Sequence, residues 1–231
     1  MNKIFVIEGT DGCGKETQTN LIYEKLNKDN IPVFRTSFPN YASDSSAIVK
    51  MYLNGDLGKD ANSVLEKPAS TFYAIDRYIT YNTVIKPYYE DNNTIILLDR
   101  YVSSNLLHQG AKIIGRGEPY ENLNEYQRWL YNFEFNDMGI PEATTTFFLY
   151  LPVEYSLKAI QNRKNKISNA SSKDIHESDI KHLINAVKSG YHLAKKLGWH
   201  IINCLDNHNN RRTREDICEE IYVTLKQNLN L

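Results

Sequence analysis

At 231 residues the chain is long enough for one or two domains, and single α/β domains often reach this length, so we expect one domain with a small insertion. Lys and Arg number 27 against 28 Asp and Glu, a formal charge of −1 that excludes a nucleic-acid binder working by bulk positive charge. Hydrophobic residues at 41%, with 16 Tyr and 8 Phe, supply a sizeable core and exclude wholesale disorder.

No stretch approaches the roughly 18 apolar residues of a membrane helix. The apolar run at 4–7 is too short for a secretory core, so the expected setting is cytoplasmic, without a membrane partner. Cys13, Cys204 and Cys218 are widely separated and show neither Cys-x-x-Cys nor Cys/His spacing. That pattern fits a reducing compartment and indicates no disulfide framework or zinc site.

The first predicted strand, 3–8, ends in Glu8 and runs into Gly9-Thr10-Asp11-Gly12-Cys13-Gly14-Lys15-Glu16-Thr17, which opens a helix carrying Ile22 and Leu26. The spacing is Gly-x4-Gly-Lys, in which backbone N–H groups wrap a phosphate at a helix N-terminus and Lys15 reaches the β and γ oxygens. The string arises by chance in roughly 0.07 of chains this long, so the strand before it and the helix after it carry the inference. After Lys15, where a Ser or Thr hydroxyl ordinarily ligates Mg²⁺, stands Glu16, with Thr17 next. A carboxylate there either holds Mg²⁺, directly or through water, or points away. Asp11 and Asp99 are the other hard oxygen donors suited to Mg²⁺.

A second strand, 32–38, leads into Phe38-Pro39-Asn40-Tyr41. The following helix contains Thr71-Phe72-Tyr73-Ala74-Ile75-Asp76-Arg77, where Tyr73 and Arg77 share one face. Two readings stand there: an aromatic plate beside an Arg fork that reads a base and a phosphate, or a buried Tyr beside a surface Arg. The third strand, 94–99, is apolar almost throughout, as a strand buried on both faces is, and ends in Asp99-Arg100. Arg binds phosphate bidentately and Asp holds Mg²⁺ or positions an acceptor, the alternative being a salt-bridged strand end.

Strands at 145–151 and 199–204 complete an alternation with helices that implies a parallel sheet covered on both faces, with ligands beyond the carboxyl ends of the strands. Between them, the polar stretch 161–178 contains Arg163, Lys164 and Lys166 and reads as a solvated loop or a mobile lid. The helix after it carries Ile180, Leu183, Ile184, Val187, Tyr191 and Ala194. The tail, 211–231, reads as a terminal helix packed on the sheet and has no assigned chemistry.

In this order the loop at 9–17, Phe38-Pro39-Asn40-Tyr41, Tyr73 to Arg77, the segment 99–110 and the polar stretch resemble the thymidylate kinases, P-loop enzymes that move the γ-phosphoryl of ATP to dTMP. The resemblance implies a P-loop NTPase-type three-layer α/β fold: a five-stranded parallel sheet, helices on both faces and a small lid, in one domain. Lys15 and the backbone of Gly9, Asp11, Gly12, Cys13, Gly14, Glu16 and Thr17 would hold ATP. Asp11 would sit near the sugar hydroxyl and the metal, with Asp99 and Glu16 the other metal candidates. Phe38, Pro39 and Tyr41 would bound the dTMP pocket, the Phe38-Pro39 bond being either cis or trans. Tyr73 would stack on thymine, Arg77 would read the base O4 and approach the phosphate, and Asn105, His108 and Gln109 would line the sugar and base edge. Asp99 and Arg100 would position Mg²⁺ and the acceptor phosphate. Gly12 and Cys13 supply no transition-state cation, so Arg163, Lys164 and Lys166 are the candidates, Arg163 first for its planar fork. The family also implies a homodimer, for which 69–89 is the candidate face; a helix packed inside its own domain explains those residues equally well.

Departures from the family pattern are Glu16, Asn40 in place of a basic residue, Tyr73 for Phe, and His108 for an aromatic residue. A monophosphate acceptor, with a second pKa of about 6, is already largely dianionic and needs no strong base. Residues 37–41 offer no Asp or Glu, which favours a monophosphate kinase over a nucleoside kinase. Selection for deoxyribose falls to a bulky group near the 2′ position, Tyr101 or His108. The competing expectations are a deoxynucleoside kinase on the same fold and a nucleotide-binding protein without turnover.

Overall fold

The five β-rich runs form one sheet in the computed structural model of the chain, which describes residues 3–60, 62–91, 93–161 and 180–229. In chain order the elements are β1 (Ile4–Glu8), α1 (Lys15–Lys28), β2 (Val33–Ser37), α2 (Ala47–Leu53), α3 (Glu66–Thr80), α4 (Lys86–Glu90), β3 (Ile95–Asp99), α5 (Val102–His108), α6 (Gly110–Gly115) and α7 (Tyr120–Tyr131). Then follow β4 (Thr145–Tyr150), α8 (Val153–Gln161), α9 (Ile180–Leu197), β5 (His200–Asn203) and α10 (Arg214–Leu229).

All strands are parallel, in the order β2-β3-β1-β4-β5. The chain leaves β1 towards β2 on one side and reaches β4 on the other, so the order reverses around β1 and β3, where open sheets of this kind bind ligands. Register places Ile7 beside Asp99. The loop after β1 and the Asp99-Arg100 step after β3 therefore emerge side by side.

Alternating side chains build the two covered faces. Phe5, Ile7, Leu97, Phe147 and Leu149 pack against Ile22 and Leu26 of α1 and Ile217, Ile221 and Leu225 of α10. Ile4, Val6, Ile96 and Leu98 face the other way, onto Val102, Leu106, Leu123, Leu130 and Leu193. β1 and β3 are buried at every position, while β2, at the sheet edge, keeps only partial cover. This is the expected three-layer fold, and the terminal helix packs where the tail was expected to. Truncating one of these core leucines to Ala costs about 2–5 kcal/mol.

Two π-helical turns, Tyr81–Ile85 and Asn132–Asp137, were not expected from the sequence pattern. The expected lid with Arg163, Lys164 and Lys166 lies, beyond residue 161, outside the described residues. No helix of the described residues is long and apolar enough to cross a membrane.

Candidate active site

The loop after β1 needs its glycines. Gly9, Gly12 and Gly14 have φ of 153°, 80° and 106°, values that L side chains resist. At Gly9 a Cβ would also stand 2.7 Å from Cys13 Sγ and 2.9 Å from the Leu149 carbonyl oxygen. Gly14 hands over directly to α1, so the free N–H groups of its first turn face the loop. Lys15 lies across this turn, its Nζ donating to the Thr10 carbonyl at 2.9 Å and standing 3.8 Å from Asp11 Oδ1. Burial pushes the Cys13 thiol up, so this cysteine packs rather than reacts. Glu16 and Thr17 are exposed on the first turn of α1.

Arg100 joins this loop to β3. It adopts φ 70°, a left-handed conformation that costs a non-glycine residue about 1–2 kcal/mol, and it turns the side chain towards the loop. Nη2 donates to Asp11 Oδ1; Nη1 lies 3.0 Å from His108 Nε2, 3.4 Å from Ser104 Oγ and 3.9 Å from Glu8 Oε1. Burial opposes the Arg100 charge, but Asp11, then Glu8 and Asp99, outweigh it and hold the guanidinium firmly protonated. Burial, then the Arg100 charge, pushes His108 well below the usual imidazole range, so its Nε2 accepts from Arg100 as a neutral ring.

Glu8 was legible only as a strand end, yet it is a hub. Fully buried, it accepts from Gly9 N at 2.9 Å, Ser103 Oγ at 2.7 Å and Ser104 Oγ at 2.8 Å. It thus ties the phosphate loop to the start of α5. A carboxylate closing a wholly apolar strand beside a glycine was the signal that could have revealed it.

The side of the site expected to take the acceptor is assembled from distant segments. Phe38-Pro39 is cis, Phe38 N donates to the Asp99 carbonyl at 3.0 Å, and the Phe38 ring lies 5.9 Å from that of Tyr101. Asp76 holds the next turn, accepting from Asn40 N at 2.8 Å and Ser45 Oγ at 2.5 Å. Tyr41 and Tyr73 are half-buried, and Tyr73 meets Tyr52 edge-on at 6.3 Å. The reading of a buried Tyr beside a surface Arg is corrected: Arg77, 1% exposed, is the buried member.

Arg77 is held by Glu134, a residue sequence reasoning missed. Nε and Nη2 donate to the two carboxylate oxygens, each at 2.6 Å, and Nη1 reaches the Tyr101 carbonyl at 3.4 Å. Burial works against the Arg77 charge, and Glu134 outweighs it. Glu134 sits in the π-helical turn Asn132–Asp137, the only buried residue there, where the extra residue of a π turn redirects side chains. Asn105 Nδ2 adds bonds to Ser70 O at 3.3 Å and Glu134 Oε1 at 3.4 Å, so its amide braces the Arg77 pair. Gln109 is buried with Oε1 unpartnered. Tyr101 belongs to the core, its hydroxyl donating to Pro141 O at 2.8 Å, which leaves His108 as the bulky group beside Arg100.

For a metal, Asp99 offers the best fit: its Oδ1 is buried without a hydrogen-bond partner at the edge of the loop. An orphaned hard oxygen of this kind suits Mg²⁺. Among the described residues no group of three or more His, Cys, Asp or Glu is arranged to hold a metal, and Mg²⁺ characteristically takes only one or two carboxylates beside water and phosphate. Of the other candidates, Asp11 is engaged by Arg100, and Glu16 is exposed on the helix.

The family model described as thymidylate kinase matches residues 7–213. The chain is similar to the thymidylate kinase of Halothermothrix orenii, 29% identical over 227 residues and 98% of each chain. It is 30% identical to the one from Prochlorococcus marinus strain MIT 9312 over 210 residues, 89% of each. With that of Mycobacterium tuberculosis it shares 26% over 181 residues, 76% of this chain and 78% of the relative. Because the family match runs from β1 to the threshold of α10 and takes in the loop, the Asp99-Arg100 step and Glu134 alike, the chain belongs to the thymidylate kinase family.

Proposed function

We propose that the site works as a single phosphoryl-transfer centre in which the chain transfers the γ-phosphoryl of ATP to dTMP, giving dTDP and ADP on the route to dTTP. The observation that carries this reading is the bond from Arg100 to Asp11: the cation placed for an acceptor phosphate touches the loop built for the donor. Lys15 and the N–H groups of the loop and first helical turn hold the donor phosphates, and Arg100 aligns the acceptor phosphate with them. Phosphoryl transfer of this kind is mainly positioning and charge neutralisation.

Residues 37–41 carry no Asp or Glu to act as a general base, and a dianionic monophosphate needs none. The nearest carboxylate to the turn after β2, Asp76, has both oxygens engaged by Asn40 N and Ser45 Oγ. That disfavours a nucleoside acceptor. Tyr73 stacks on the base, Arg77 meets O4 with the Nη edge that Glu134 leaves open, and Gln109 offers its unpartnered Oε1 to N3–H. Asp99 would hold Mg²⁺ through Oδ1, and the ion, when bound, neutralises charge on the phosphate oxygens. We assign the remaining transition-state cation to Arg163, Lys164 or Lys166, Arg163 first, on their place in the sequence alone.

We further propose a cytoplasmic homodimer. Ile75, Tyr78 and Ile79 on α3, Val84 in the turn after it and Tyr88 on α4 are each 37–43% exposed, an apolar face suited to a second copy. Light scattering on the eluted peak settles the state, and a monomer mass would sink this reading.

The test of function is ADP release with Mg²⁺ and ATP, offering dTMP, dUMP, dCMP, dGMP and thymidine separately. Fast turnover with dTMP is the expected outcome. Turnover with thymidine alone would make the chain a nucleoside kinase, and ATP binding with no turnover would make it a non-catalytic binder.

A further inference from the structure

Two adjacent arginines in the connection between β5 and α10 face different things. Arg212 donates through Nη1 to the Asn203 carbonyl at 2.9 Å and to Glu220 Oε2 at 2.6 Å. Its charge is matched, and it braces the entry to α10. Arg211 has no carboxylate partner among the described residues; its Nη2 donates instead to the carbonyl of Gly12, inside the phosphate loop, at 3.1 Å.

The backbone that presents Arg211 is fixed. Leu205 and Arg211 form an antiparallel bridge, Arg212 N donates to Cys204 O at 3.0 Å, and Asp206 Oδ1 accepts from the N–H groups of His208 and Asn210 at 2.8 Å each. A guanidinium carries five donors, and one backbone carbonyl uses one of them. An exposed arginine that meets no carboxylate among the described residues is thereby held at the rim of a phosphate-binding turn.

The charge balance there gives it a task. Lys15 stands 3.8 Å from Asp11, and Arg100 is bonded to Asp11 and near Glu8, so both cations of the loop are partly offset by carboxylates. A nucleoside triphosphate brings several negative charges, and neither Gly12 nor Cys13 carries a cation. Planar guanidinium forks bind phosphate oxygens with charge-assisted hydrogen bonds.

We propose that Arg211 is a donor-nucleotide contact, its guanidinium engaging the phosphate chain of the nucleoside triphosphate held by the loop at 9–17. This rests on reading that loop as the ATP site. Among the described residues Arg211 bonds to the loop and not to Arg100, Arg77 or Asp99, so it is expected to serve ATP and ADP and to leave dTMP untouched.

The experiment compares R211Q, R211K and K15A in the full chain, by calorimetric titration with Mg-ADP and by kinetics with each substrate varied in turn. R211Q is expected to weaken ADP binding and raise the KM for ATP about five- to tenfold, with the KM for dTMP within about twofold. The gap to wild type narrows as salt rises, because an exposed charge is screened. R211K, which keeps the charge but not the fork, falls between. Unchanged ADP affinity in R211Q, or both KM values rising together as loop bracing alone would make them, overturns the proposal. Should R211Q melt well below wild type, R211K carries the test: an intermediate ADP affinity supports the contact and an unchanged one overturns it. K15A separates the two layers of inference. If K15A binds ADP like wild type, the loop is not the ATP site and the parent reading falls, whatever R211Q does.

Discussion

The proposed donor and acceptor halves of the site are built in opposite ways. The donor loop is one contiguous stretch, 9–17, whose conformation follows from its own glycines and the helix it opens. The acceptor half draws on the turn after β2, on α3, on the start of α5 and on a π turn, and it is held by buried polar pairs between segments far apart in sequence. Lys15 apart, a local device of this kind should tolerate changes in its side chains, because backbone N–H groups point at the bound anion. A long-range device stands or falls with each partner.

The largest expected effects test whether the halves are one machine. Lys15→Ala and Arg100→Ala should each lower kcat by about 10²–10³-fold with the fold retained, as loss of a single preorganised charge does elsewhere. Wild-type rates in either variant would break the link made by Arg100 and Asp11. Next in size is Glu134→Gln. It leaves the Arg77 charge buried with half its partner, so stability should fall by about 3–5 kcal/mol. For a chain this long that is on the order of 10 °C in Tm by thermal melting. The double variant Arg77→Met with Glu134→Leu sharpens the comparison: it should regain most of the Tm while the KM for dTMP stays raised. Recovery of both would mean the pair serves packing alone.

How much of this was legible in the sequence follows the same division. Gly9 to Lys15 announces itself by spacing, and β1 and β3 by unbroken apolar runs ending in Glu8 and Asp99. Tyr73 and Arg77 could be placed on one helical face, but not their burial, which depends on a partner 57 residues away. Glu134, between Phe133 and Phe135 in an otherwise polar and aromatic helix, reads as a solvated charge until the π turn rotates it inward. Asp76 likewise looks like half of an Asp-Arg surface pair, and only the folded chain brings Asn40 and Ser45 to it. Residue type and spacing reveal what one segment does with its own backbone; they do not reveal which distant carboxylate a buried cation selects.

A smaller effect is expected from pH. His108 is held well below its ordinary value of 6.5 by burial and by Arg100. The unfolded chain therefore binds this proton more readily than the folded one, so the contribution to stability is complete above pH 6.5 and falls away as pH drops through and below it. Melting curves from pH 7.5 down to 5 should show wild type losing stability faster than His108→Gln. Parallel curves would mean that the ring does not face Arg100 as a neutral acceptor.

The smallest expected effect lies at position 16, where the donor loop enters α1. If the loop works through its backbone, and Asp99 supplies the metal-facing oxygen, then the exposed Glu16 is a bystander on the first turn of α1, where its charge suits the helix dipole. Glu16→Thr, which restores the hydroxyl the motif ordinarily carries, should change neither kcat nor the Mg²⁺ concentration for half-maximal rate by more than about twofold, a difference under 0.5 kcal/mol. Asp99→Asn should raise that Mg²⁺ requirement well beyond it, since an amide oxygen binds the ion more weakly than a carboxylate. The opposite pattern, a marked response in Glu16→Thr and none in Asp99→Asn, would move the metal to the helix and make the carboxylate at position 16 a working replacement for the hydroxyl.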